Sequence, residues 1–78
     1  MKERDVAKLA LKKEAHQKPD EKLIVGDKML TYRELERLID EGDKWIEQNV
    51  LKPFEQLLKE SKDFFKEVIG FALSDNSS

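Results

Sequence analysis

From Leu35 onward the apolar residues of this chain fall at helical spacing: Leu35, Leu38, Ile39, Trp45, Ile46, Val50, Phe54, Leu57, Leu58, Phe64, Phe65, Val68, Ile69 and Ala72. Steps of three and four keep these side chains on one side of a 3.6-residue helix, with Glu, Asp and Lys on the other. The spacing predicts helices over 32–51 and 52–73. As one rod, residues 32–73 would span about 63 Å, about twice the ~30 Å breadth of a compact chain of this size. Pro53 is the expected relief point, because it removes a backbone hydrogen bond and crowds the carbonyl of Asn49. A kink there without reversal stays open, since the stripe keeps its phase from Ile46 through Val50 and Phe54 to Leu57. Gly42 reads as a lesser weak point or a place of close helix approach, and Ser61 as a small residue at a helix contact.

The first third of the chain is patterned differently. Residues 5–17 read as a short helix, capped by Asp5, with Val6, Leu9 and Ala10 as its apolar face and Lys18-Pro19 ending it. Such a helix is marginal alone and must dock on the long stripe. Residues 22–31 read as a β-hairpin, with Leu23-Ile24-Val25 and Met29-Leu30-Thr31 flanking Gly26-Asp27, and Gly26 supplying a positive φ. Thr31-Tyr32-Arg33-Glu34 is a capping box that opens the next helix. Residues 74–78 are small, polar and expected to fray. The class expected is mainly α, in a single domain over 1–73.

The segment from Pro19-Asp20, through Leu23-Ile24-Val25-Gly26-Asp27-Lys28, to Leu30-Thr31-Tyr32-Arg33-Glu34-Leu35 resembles the opening of the adenylate-forming enzymes, the acyl-CoA synthetases and peptide-synthetase adenylation domains. In that family a short hairpin is likewise followed by a Thr-Tyr-x-Glu-Leu helix start. The resemblance implies that local structure and no activity. The family's Ser/Thr/Gly-rich phosphate loop and its later Asp, Arg and Lys motifs have no counterpart here.

Composition sharpens the picture. Charged residues are 41% and apolar residues 38% of 78, the balance of a soluble helical protein rather than a disordered one. There is no cysteine, hence no disulfide, thiolate nucleophile or Cys-ligated zinc. Purely apolar runs stop at three residues, so neither a signal peptide nor a membrane span is expected, and the cytoplasm is the expected location.

Charge is unevenly spread. Residues 1–18 hold six Lys/Arg against three acids, while residues 19–78 hold nine against fourteen. Arg4, Lys8 and Lys12 line one helix face, and Glu36, Asp40, Asp43 and Glu47 another. Both read first as solvated faces; alternatively the two lines face each other and set register. Arg4, Lys8 and Lys12 are also the residues a nucleic-acid phosphate would meet. Interrupting acids, a pI near 5.4 and the lack of interleaved aromatics argue against that reading.

Catalytic and metal chemistry find little support. His16 is the only histidine and sits in a polar helix end. No serine or threonine follows a glycine-rich elbow, the acidic line lacks Glu-x-x-His pairs, and no phosphate loop is present. No cofactor is expected. The expected role is a non-enzymatic interaction or regulatory module, working as a homodimer or other homo-oligomer or with a protein partner. Its interface is expected at Trp45, Val50, Phe54, Leu57, Leu58, Phe64, Phe65, Val68 and Ile69.

Overall fold

A computed structural model describes residues 2–74. Helix α1 (Glu3–Gln17) leads into strands β1 (Lys22–Val25) and β2 (Lys28–Thr31), then helices α2 (Tyr32–Glu41), α3 (residues 44–60) and α4 (Lys62–Leu73). The mainly helical class, the hairpin and the helical arm are as the pattern predicts. The tail at 75–78 lies outside the described residues. Helix α1 begins before the expected cap: Asp5 lies inside its first turn, where its charge faces the positive end of the helix dipole.

Helices α2, α3 and α4 all pack on α1, so α1 must be apolar over a wide arc. At 100° per residue, Val6, Ala10, Ala7 and Ala15 mark out half a turn, and all four are buried. Leu9, expected in this face, falls outside the arc and is 36% exposed. The small side chains of the three alanines leave room for larger neighbours. One cluster joins Leu30, Leu35, Ile39, Ile46, Val50 and Leu51 between hairpin, α2 and the first half of α3. A second joins Val6, Ala7 and Leu58, with Phe54, Phe64, Phe65, Val68 and Ile69 around them. Full burial of each large side chain contributes about 1.5–3 kcal/mol.

The arm divides at other places than expected. Gly42 adopts φ +74°, its amide bonds to Ile39 O, and the Asp43 amide bonds to Leu38 O, which is the Schellman ending of α2. Nothing lies within 4 Å of a Cβ built on Gly42, so conformation and not close packing calls for glycine. Asp43 then caps α3, its carboxylate accepting the Ile46 amide at 2.9 Å. Ser61 ends α3 and starts α4 alone. Its amide donates to Leu57 O while its hydroxyl accepts the Phe64 amide at 3.1 Å.

Around Pro53 the chain stays helical. Helix α3 is α-helical at Lys44–Ile46, π-helical at Glu47–Leu51 and α-helical again at Lys52–Glu60. The Lys52 amide reaches back five residues to Glu47 O, and Asn49 Nδ2 donates to Trp45 O at 2.9 Å. The widened turn lies just ahead of the proline, whose ring would otherwise press on the Asn49 carbonyl. The irregularity is a π-turn, not a reversal, and the expected boundary at 51/52 falls inside one helix. The turns at Gly42-Asp43 and Ser61 divide the arm, and the chain forms a body of 31 × 29 × 20 Å.

Candidate interaction surface

The two charge lines face each other within the chain. Arg4 donates from both terminal nitrogens to both carboxylate oxygens of Glu47. Lys12 Nζ lies 2.6 Å from Asp40 Oδ1, and His16 Nε2 lies 3.6 Å from Glu36 Oε2. Partner numbers fall as the α1 numbers rise, as antiparallel neighbours require. Asp43, the remaining acid of its line, serves as the cap of α3. Hydrogen bonds from Arg4, with the charges of Arg4, Lys52 and Lys8 adding, hold the Glu47 carboxyl below the usual carboxylate range against the opposing effect of burial. The same hydrogen bonds raise Arg4 above its ordinary pKa. Of the three cations a phosphate would need, Arg4 and Lys12 are therefore engaged with carboxylates and Lys8 is half-buried beside them.

On the other side of α1, Lys13 secures the end of α4. Its Nζ donates to Phe71 O at 2.6 Å and Ser74 O at 2.7 Å, and stands 4.8 Å from the centre of the Phe71 ring. A cation at a helix C-terminus meets the negative end of the dipole and unpaired carbonyls. Beside it, Ala10, Leu11, Tyr32, Phe54, Val68 and Phe71 line an apolar cleft of about 310 Å³, with Glu14 and Glu67 at the rim. Burial pushes the Tyr32 phenol pKa up, and the charges of Glu14 and Glu21 add to the shift.

The expected interface residues separate into three groups. Val50 and Leu58 are buried in the two core clusters. Trp45, Phe54, Phe64, Phe65, Val68 and Ile69 are half-buried, with Phe54 and Phe64 rings tilted against each other at 6.2 Å. Leu57 is 53% exposed. Trp45 carries the Lys28 ammonium 4.3 Å over its ring, tying the hairpin to α3.

Two features were not singled out in the sequence. A second cleft, of about 360 Å³, is lined by Leu58 and Phe65 with Lys59, Lys62, Lys66 and Glu3 around them. The three-and-four spacing of its lysines was the available signal, obscured by the many acids nearby. The other is the outer face of the hairpin. There Ile24 and Met29, paired across the strands, are 71% and 61% exposed. Strict alternation along 22–25 would have placed Ile24 opposite to Leu23 and Val25.

Among the described residues no group of three His, Cys, Asp or Glu is placed to hold a metal ion, and no buried side-chain polar atom lacks a hydrogen-bond partner. No described helix is long and apolar enough to cross a membrane. What the fold presents is a small helical body with apolar clefts and a hairpin standing on its side. Comparison with protein-family models, with curated proteins and with solved structures finds no match to this chain. The hairpin and capped helix start implied by the resemblance to adenylate-forming enzymes are present at 22–34.

Proposed function

We propose that this chain is a non-enzymatic interaction or regulatory module of the cytoplasm, that it engages a protein partner through the helical surface of α4 and the end of α3, and that it self-associates. The observation that carries this reading is α4 itself. Phe64, Phe65, Val68, Ile69, Phe71 and Leu73 give it a large apolar surface, yet none of its residues is fully buried. Five of the six are only half-buried and Leu73 is 60% exposed, so this apolar face is left partly uncovered.

The cleft at Leu58 and Phe65 supplies the chemistry of the partner. Lys62 and Lys66 stand over it without an ion-pair partner among the described residues, and Lys59 shares its charge with Glu55 at 3.4 Å. An amphipathic helix whose apolar side chains are flanked by acids fits such a groove. The test compares the parent with a Lys62→Glu/Lys66→Glu variant in capture from the native host. The parent should retain a protein that the variant releases, with equal helical circular dichroism. Identical capture by both would remove the support for this surface.

A further inference from the structure

The hairpin has one edge that is partly occupied and one that is open. The Tyr32 amide donates to Glu21 O at 3.1 Å, and β1 and β2 pair in the register Lys22↔Thr31, Leu23↔Leu30, Ile24↔Met29, Val25↔Lys28. Antiparallel pairs alternate between bonded and non-bonded, so Leu23↔Leu30 and Val25↔Lys28 exchange hydrogen bonds while Lys22, Ile24, Met29 and Thr31 turn their amides and carbonyls away from the partner strand. On β2 the outward amide of Thr31 is engaged, donating to Glu34 Oε1 at 3.1 Å, while no described residue takes up the outward groups of Met29. On β1 no described residue takes up the outward groups of Lys22 or Ile24. The side chain at the centre of that open edge, Ile24, is the most exposed of the large apolar residues.

We infer that the open edge of β1 pairs antiparallel with β1 of a second copy of this chain, about a twofold axis at Ile24. This assignment rests on the self-association in the reading above and gives it a place, away from the helical surface. The edge is self-complementary. Laid against itself with Ile24 opposite Ile24, it sets Leu23 opposite Val25 and Lys22 opposite Gly26, so no like charges face each other within β1 itself, Glu21 and Asp27 meeting only beyond its ends, and the pleat keeps Leu23 and Val25 on the core side. Each Lys22 then lies beside the Gly26-Asp27 turn of the other copy, opposite in charge. On the outer face the four strands carry one apolar row, Met29, Ile24, Ile24, Met29, in which the two Ile24 side chains shield each other's flanks from water. On β2 the Thr31 amide is already held by Glu34, which leaves Met29 as that strand's one open position against two on β1, so β1 is the edge that pairs.

The experiment is sedimentation equilibrium of the full chain from micromolar to millimolar concentration, with Ile24→Pro, Ile24→Lys and Leu57→Asp variants. The parent should approach twice its 9.2 kDa mass. Ile24→Pro deletes the outward amide, a change free edges accept, and Ile24→Lys alters only an exposed side chain. Both should stay at monomer mass with parental circular dichroism, and Leu57→Asp should dimerise like the parent. If the proline variant misfolds, the lysine variant decides. Amide exchange at Ile24 should slow severalfold in the parent as concentration rises.

A parent that is monomeric at millimolar concentration overturns the inference and leaves the partner surface on α4 standing. Dimerisation lost in Leu57→Asp but kept in both Ile24 variants also overturns it, by moving self-association to the helices.

Discussion

Arg4 grips both oxygens of Glu47, forty-three positions further along the chain. The pair joins the first turn of α1 to the π-turn of α3, and both side chains keep partial access to water. Exposed pairs of this kind are worth about 0–1 kcal/mol, bidentate arginine standing at the upper end. A double-mutant cycle with Arg4→Ala and Glu47→Ala should therefore give a coupling of about 1 kcal/mol in urea denaturation. It should shrink in strong salt. A coupling near zero at low salt would mean that α1 and α3 meet through their apolar faces alone.

Acid should loosen the fold before base does. Glu47, hydrogen-bonded by Arg4, and Glu34, hydrogen-bonded by the Thr31 amide and then its hydroxyl, both have lowered folded-state pKa values. The unfolded chain holds these protons more tightly, so the stabilisation is fully present above the unfolded glutamate pKa of about 4.3 and is lost as pH falls through the lower folded values. Melting temperature measured from pH 7 downward should hold to about pH 5 and then decline. Glu47→Gln should flatten part of that decline.

Two glycines should respond oppositely to alanine. Gly42 sits at φ +74° with open space around it, so Gly42→Ala meets backbone strain and not a clash, costing about 1–2 kcal/mol. Gly70 lies on the exposed side of α4 with nothing near its missing Cβ, and Gly70→Ala should gain up to about 1 kcal/mol. Thermal melts of the two variants, moving apart from the parent, would check both.

Neighbours on α3 divide core from surface. Leu58→Ala should cost about 2–5 kcal/mol, because Leu58 closes the second cluster beneath Val6 and Ala7. Leu57→Ala should stay within about 0.5 kcal/mol. Equal losses at both positions would mean that the helix is rotated from the orientation described.

Rules that act over a few residues were legible from the chain. The Thr31–Glu34 capping box and the positive φ of Gly26 depend on neighbours in sequence, and both are present. The turns in the arm were harder to place. Pro53 carries a steric rule but sits behind a π-turn that absorbs it. Gly42 and Ser61 looked minor, although Gly42-Asp43 and Ser61-x-Asp63 are ordinary stop and start signals. The charge lines showed their spacing, but only the antiparallel placing of the arm along α1 assigns Glu47 to Arg4. The stripe could not tell Leu58 from Leu57, because a two-sided core draws on a wider arc than a single apolar face.

Helix α1 is the earliest of these elements to be synthesised and the one on which the others depend. Its buried arc, Val6 through Ala15, packs chiefly on α2, α3 and α4. A nascent chain lacking α4 leaves part of the second cluster open, and α1 by itself is too short to persist as a helix in water. The packing of α1 is thus complete only when α4 is present, through contacts distant in sequence of the kind that slow folding. A chain without α4 would therefore leave Val6, Ala7 and Leu58 partly bare.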